Sequence, residues 1–358
     1  MSAYMADAPA AFRSLGLERG AVKPWEDGIR TDPSEHSYEW WYFDSHLEDG
    51  SSLVIVFFTK HLLSPHQPLT PMIEIELDRP DGTSIKRELV FAPGEFSAAT
   101  DNCEVRIGPN AFAGDLGTYR IHVEDAEITA DVTLTRAVPS WRPETGHMYF
   151  GDGEGGPEKL FAWLPSVPEG AVEATLTLNG TTETVRGTGY HDHNWGDAPM
   201  NQLIHHWWWG RAKVGPYTLI SSYITAEEAY GSDEIPIFMI AKDGRILADD
   251  ARHLSFSTSD THLDEVTGKP VAGRQVYEYT DPDAHFRVTW RREQDIVRRN
   301  FIDEFQGAQL EAARAAGFDS SYLRFTGTAT VERLEGGEVV ESHTAPAIWE
   351  LMYFGHAR

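Results

Sequence analysis

The chain has 358 residues, 41% of them hydrophobic, which is enough to bury a sizeable core, and its length favours two domains over one. With 30 Lys and Arg against 56 Asp and Glu, the formal charge is −26, which repels phosphate backbones and anionic headgroups and argues against a nucleic-acid partner. A single cysteine, Cys103, excludes an intramolecular disulfide.

Residues 1–30 are rich in Ala and charge without a clear period and read as an N-terminal arm that carries no evident chemistry. The start lacks a basic, apolar leader, and no run approaches membrane-spanning length. The expectation is therefore a cytoplasmic protein with no integral membrane segment; oligomeric state is unknown at this stage. From Tyr38 the pattern turns to short apolar or alternating runs between turn signals: "SLVIVFF", "IEIELDRPDGTSIKREL", "YRIHVEDAEITADVTLTRA" and "ATLTLNGTTETVRGTGY". These predict antiparallel strands with hairpins at "PDG" and "NG".

"GDGEGG", residues 151–156, is acidic and lacks the Lys-Ser/Thr of a phosphate loop, so it reads as a flexible loop. The second half repeats the β pattern through "YTLISSYI", "IFMIAKDGRIL", "QVYEYTDPDAHFRVTW" and "IWELMYF". One helix is predicted, over Phe301 to Ala316, with Gly317 as its stop. The five arginines between Arg287 and Arg299 read as a salt-bridged surface. The halves look like copies: "EWWYFDSHLEDG" from Glu39 lines up with "HWWWGRAKVGP" from His206, each an aromatic run, a turn and then an apolar strand. The expected organisation is an arm at 1–30 and domains at 31–200 and 201–358, each an antiparallel β-barrel or sandwich, with one short helix in the second.

Chemistry concentrates in "GYHDHNWGD", Gly189 to Asp197. On an extended backbone Tyr190, Asp192 and Asn194 share one face, and His191, His193 and Trp195 share the other. A metal site would need a third ligand from His205 or His206, and no zinc or calcium motif supports it, so metal is set aside. An acid/base site needs only that Asp192 sit among aromatics, where desolvation raises its pKa. The structural alternative, with Asp192 and Asn194 capping a turn and His193 in a buried network, stays open. Trp40, Trp41, Trp195 and Trp207 to Trp209 must present rings to both sides of their sheets, so one set is free to line a pocket for a large flat or polyene ligand. Glu39 and Arg211 flank these runs as a candidate buried ion pair.

The quoted motifs "HSYEWWYFDSHLEDG", "GTGYHDHNWG", "HHWWWGRA" and "WELMYFG" resemble those of the AttH-like/CrtC superfamily, which includes carotenoid 1,2-hydratases, kievitone hydratases and fungal Diels-Alderases. The resemblance implies two lipocalin-like domains, an apolar small-molecule substrate, and chemistry without metal or organic cofactor. It also implies a catalytic His, Trp, Tyr and Asp: His193 and Trp195 match a His-x-Trp pair, and Tyr223 matches the Tyr. Thr225 stands where the Asp belongs, so Asp192 takes the acid's role on physical grounds. The resulting expectation is hydration of a C=C bond in an isoprenoid or polyketide-like substrate. Asp192 donates the proton, His193 and Tyr223 position water, and Trp41, Trp195 and Trp208 shield the cation. Glu39, Tyr190, Asn194, His206 and Arg211 complete the expected substrate site. A cyclase or pericyclase, or a lipocalin-like carrier, are the alternatives.

Overall fold

A computed structural model of the protein describes residues 1–152 and 158–356; the glycine-rich stretch read as a loop at 151–156 lies, from Gly153 onward, outside the described residues. The chain divides into two compact units. One comprises Met5–Met148 and Lys159–Pro199, the other Met1–Tyr4, Tyr149–Glu158 and Met200–Arg358. The first few residues thus belong with the later unit, where the Ala3 amide donates to Asp233 Oδ2 at 2.9 Å.

The first unit is a meander of β1 (Tyr38–Leu47), β2 (Ser52–Phe58), β3 (Met72–Asp78), β4 (Ser84–Val90), β5 (Phe96–Ala98), β6 (Cys103–Ile107), β7 (Asn110–Gly114), β8 (Thr118–Glu124), β9 (Ile128–Arg136), β10 (Lys159–Leu178) and β11 (Thr181–Gly196). Their hydrogen-bonded order is β4-β3-β2-β1-β11-β10-β9-β8-β7-β6-β5, so strands next in sequence pair except at the β4–β5 break, and the first strand pairs with the last. Alternation drives this. In β8 the side chains of Tyr119, Ile121 and Val123 point into the core, and in β6 those of Cys103, Val105 and Ile107 do the same. The two predicted hairpins form. Gly82 turns β3 into β4 with φ +87°, and Asn179 and Gly180, both at positive φ, make the tight turn from β10 to β11.

Two features of these long strands prepare the site. The outer half of β11 alternates between half-buried and exposed, but from Gly189 to Gly196 every residue is buried, so both faces of the strand lie under protein. Beside it, the register of β10 shifts between Leu164 and Val167 and again before Gly170. Pro165 and Pro168 fall in those shifts; neither has an amide hydrogen to give to the ladder.

The second unit repeats the plan with β12 (Ile204–Val214), β13 (Tyr217–Ala226), β14 (Glu234–Lys242), β15 (Arg245–Ala248), β16 (Leu254–Ser259), β17 (Arg274–Thr280), β18 (His285–Asn300), β19 (Ser321–Glu335) and β20 (Glu338–Tyr353). Their order is β15-β14-β13-β12-β20-β19-β18-β17-β16, again a meander whose first strand pairs with its last. The two aromatic runs matched in sequence, at Trp40 and Trp207, both lie on that first strand. The architecture is all-β, built from curled antiparallel sheets. The predicted helix appears as a 3-10 turn at Phe301–Glu304 followed by an α-helix at Gly307–Ala315. Four of the five clustered arginines, Arg287, Arg292, Arg298 and Arg299, pair with carboxylates.

Candidate active site on the two faces of one strand

The extended backbone of β11 separates its side chains as the period of two requires. On one face Asp192 is the hub. Its Oδ2 accepts from the Tyr190 hydroxyl at 2.8 Å and from Trp163 Nε1 at 2.7 Å, while its Oδ1 accepts from Asn194 Nδ2 at 2.7 Å. Trp163 reaches it from β10, where it stands opposite Asn194, and Trp141 meets the Trp163 ring edge-on. From β1, the Tyr42 ring meets Tyr190 edge-on, and its hydroxyl donates to Asp44 Oδ2 at 3.2 Å.

Burial pushes the Asp192 carboxyl up to about 6, against the combined pull of Trp163, Tyr190, the charge of His191 and Asn194. Asp192 is buried, with 7% of the residue exposed. Burial and the neighbouring Asp192 carboxylate push the Tyr190 hydroxyl well above its ordinary value. The outcome is a carboxyl group that holds or gives up a proton near neutral pH, set among aromatic rings.

The other face points into the core of the first unit. His193 lies between two indoles, stacked on Trp41 with centroids 4.7 Å apart and tilted against Trp195 at 4.9 Å. Its Nε2 faces Glu39 Oε1 at 2.7 Å. Glu39 is fully buried and also accepts from the Arg30 amide, the Thr31 amide and the Thr31 hydroxyl. His191 is held at both ring nitrogens: Nδ1 lies 2.8 Å from the Tyr42 carbonyl and Nε2 lies 3.1 Å from Asp27 Oδ2. The Tyr119 hydroxyl donates to that same Asp27 oxygen.

Burial alone would raise the Asp27 carboxyl, but His191, His193 and Tyr119 outweigh it and hold it below the usual range. A carbonyl only accepts, so His191 Nδ1 carries a hydrogen. Nε2 faces the Asp27 carboxyl, so the two groups share a hydrogen. Asp27 Oδ1 and His193 Nδ1 lie 3.5 Å apart, and neither has a hydrogen-bond partner among the described residues.

Asp27, Cys103 and His191 present potential ligand atoms within 4.8 Å of one another. Asp27 Oδ2 is already engaged by two donors, and Cys103 Sγ faces the Phe112 carbonyl at 3.7 Å. Burial keeps that thiol well above its ordinary value and so protonated. The cluster is therefore built from hydrogen bonds.

Several expectations need correction. Asp192 and His193 project to opposite faces of β11, so Trp41 and Trp195 surround the histidine and not the acid. Four donors to Glu39 come from its own unit: the Arg30 and Thr31 amides, the Thr31 hydroxyl and His193 Nε2. In the second unit, the Tyr223 hydroxyl donates to Glu234 Oε2 at 2.5 Å, its ring stacks on Phe256 at 4.2 Å, and burial together with Glu234 raises its pKa. His206 stacks on Tyr353 at 5.0 Å and faces His205 Nδ1 at 2.8 Å; its Nε2 lies 3.5 Å from the hydroxyl of Thr225. Trp208 is a core residue tilted against Phe325, and Arg211 is buried. Sequence reasoning missed Asp27, Tyr119 and Trp163. The arm it left without chemistry delivers Asp27, through a 3-10 turn at Pro24–Asp27.

A Diels-Alderase-like family model matches residues 31–354. The chain belongs to the Diels-Alderase-like family. It is 31% identical over 205 residues to a hydroxyneurosporene dehydrogenase from Chlorobaculum tepidum, covering 49% of this chain and 53% of the relative. It is 28% identical over 195 residues to the quinolone epoxide rearrangement protein AsqO of Emericella nidulans, covering 51% and 53%. The chain thus spans about half the length of the curated relatives it matches. Its fold matches the crystal structure of an AttH protein from Nitrosomonas europaea with a TM-score of 0.58 at 18% identity, covering 94% of this chain and 98% of the other.

Proposed function

We propose that the protein is a cofactor-independent enzyme that adds water across a C=C bond of a large apolar, isoprenoid or polyketide-like substrate, with Asp192 as the proton donor. The observation that carries this reading is a buried carboxyl raised to about 6, hydrogen-bonded by Trp163 and Tyr190 and set among aromatic rings. In the proposed step the Asp192 proton goes to one alkene carbon, and the positive charge develops on the other. Trp163, Tyr42 and Tyr190 are the rings nearest the acid and stabilise that charge through their π faces. Water captures the cation, and its surplus proton returns to the Asp192 carboxylate, so the acid is regenerated. A relative named for hydroxyneurosporene supports an isoprenoid-like substrate.

Rearrangement or cyclisation is the second reading, favoured by the relative named for quinolone epoxide rearrangement and by the three donors that fix Asp192 rigidly. Incubation of the purified protein with acyclic isoprenoids and polyketide polyenes in oxygen-18 water separates the two. A product heavier by one labelled water, lost by about 10²–10⁴-fold in Asp192→Asn while binding persists, supports hydration. Conversion without a mass change supports isomerisation. Full activity of Asp192→Asn overturns the acid's role, and retention of ligand without conversion identifies a carrier.

A further inference from the structure

A carboxylate, a thiol and an imidazole from three separate parts of the first unit meet in its core. His191 comes from β11 and Cys103 from β6, and Asp27 reaches them on the arm through the 3-10 turn at Pro24–Asp27. One ligand atom from each lies within 4.8 Å of the other two. Asp27 and Cys103 are each 1% exposed, and His191 is fully buried. Hydrogen bonds from behind aim these groups. The Tyr42 carbonyl holds the hydrogen on His191 Nδ1, which turns Nε2 toward the cluster, and the Tyr119 hydroxyl steadies Asp27; carbonyls and hydroxyls behind metal-binding imidazoles and carboxylates act in the same way. His193 repeats the pattern, with Nε2 held by Glu39 at 2.7 Å and Nδ1 turned toward Asp27 Oδ1 at 3.5 Å. Those last two atoms have no hydrogen-bond partner among the described residues. A buried carboxylate oxygen and a buried imidazole nitrogen left over from the network point to a bound group that the side chains do not replace.

We propose that Asp27, Cys103 and His191 form a zinc site that fastens the arm to the sheet, with His193 Nδ1 beside Asp27 as the fourth ligand. Sulfur, nitrogen and oxygen donors together suit zinc, whereas magnesium and calcium take oxygen alone. The charges balance in a closed core: one thiolate and one carboxylate neutralise the divalent ion. The protons balance as well. The thiol gives up its hydrogen, the hydrogen shared by His191 and Asp27 leaves, and two protons are released for each zinc bound. Bonds of about 2.0–2.3 Å to one ion set ligand atoms roughly 3.3–3.8 Å apart, so the cluster closes on zinc with shifts of about an ångström. The hydrogen bonds among these groups are what the ion displaces. Asp192 lies on the opposite face of β11 and its chemistry has no need of the metal, so the site stands independently of the function proposed above.

The test reads metal content. Because a site closed by the arm fills as the chain folds, the full-length protein is produced in zinc-supplemented medium, dialysed and analysed by plasma mass spectrometry. The expected content is about one zinc per chain, falling at least tenfold in Cys103→Ser and in His191→Gln. Asp192→Asn, altered on the other face, keeps its zinc. Protein produced with cobalt(II) instead shows the absorption of a thiolate–cobalt bond, and Cys103→Ser lacks it. Added zinc raises the urea midpoint of chelator-treated parent protein and leaves that of Cys103→Ser in place. A parent protein that retains no zinc overturns the site. Zinc held equally by the parent and Cys103→Ser overturns it too, since the ion then sits on other groups. If both variants fail to fold, the parent decides alone: bound cobalt without thiolate absorption overturns the proposal.

Discussion

Trp163 donates its indole hydrogen to Asp192 Oδ2 across 2.7 Å, from the strand next to the acid's own. This bond favours the charged carboxylate and opposes the burial that favours the neutral acid. Trp163→Phe keeps a ring in place and removes the donor. A hydrogen bond to a charged group contributes about 1.5–3 kcal/mol, so the Asp192 midpoint rises above 6 by about one unit or more. Carbon-13 titration reads it, and a midpoint that stays put or falls would show that Trp163 does not set the acid.

The same carboxyl governs stability. Its ordinary value is 3.8 and its folded value about 6, so between these pH values the native state binds more protons than the unfolded chain. A raised acid contributes stability that is fully present below the unfolded value and is lost as pH rises through the folded one. The gap of about two units corresponds to about 3 kcal/mol lost between roughly pH 4 and pH 6.5. Asp27, held below its ordinary value, acts in the opposite sense and loses its contribution as pH falls. Asp192→Asn flattens the decline across the upper window. Urea unfolding at several pH values checks this, and an Asp192→Asn protein with the parent's slope contradicts it.

Glycine at 189 opens the fully buried stretch of β11, hemmed in by β10 and β1. A Cβ there would lie 2.6 Å from Val172 Cγ2 and 2.9 Å from the Asp44 carbonyl oxygen, and a ladder carbonyl cannot step aside cheaply. Gly189→Ala is expected to lose about 1–3 kcal/mol in denaturant unfolding. Gly94, where an added Cβ meets nothing within 4 Å, serves as the control. Equal stability of the two alanine variants would refute the close approach as the reason for glycine.

What the sequence made legible was whatever depends on local period and turn chemistry. Strand alternation put Tyr190, Asp192 and Asn194 on one side and His191 and His193 on the other, and Asn179-Gly180 announced its hairpin. The aromatic runs at Trp40 and Trp207 marked the first strand of each meander. Long-range partners were not legible. Asp27 sits in "PWEDG", a turn like many others, and only the closed sheet brings it to His191. Trp163 lies in an apolar run broken by Pro165 and Pro168, with no local cue that its indole points at a carboxylate. The donors of Glu39 were not legible either: three of them are the Arg30 and Thr31 backbone amides and a hydroxyl, groups that charge type does not announce.

That arrangement makes Glu39 the anchor of the arm. Two backbone amides, one hydroxyl and His193 Nε2 converge on a carboxylate with no exposure, so every donor depends on one side chain. Glu39→Gln keeps the volume, removes the charge and turns one acceptor oxygen into a donor amide that faces other donors. Breaking a buried charged network from one side costs about 3–5 kcal/mol. Thr31→Val removes a single hydroxyl bond and costs only about 1 kcal/mol. Because residues 30 and 31 are the ones released, Glu39→Gln also opens the Arg30–Thr31 bond to trypsin, whereas Thr31→Val leaves it protected. Urea unfolding and timed trypsin digestion followed by mass spectrometry measure the two effects. If Glu39→Gln unfolds at the parent's midpoint and its Arg30–Thr31 bond resists cleavage equally, the arm is held by something other than this carboxylate.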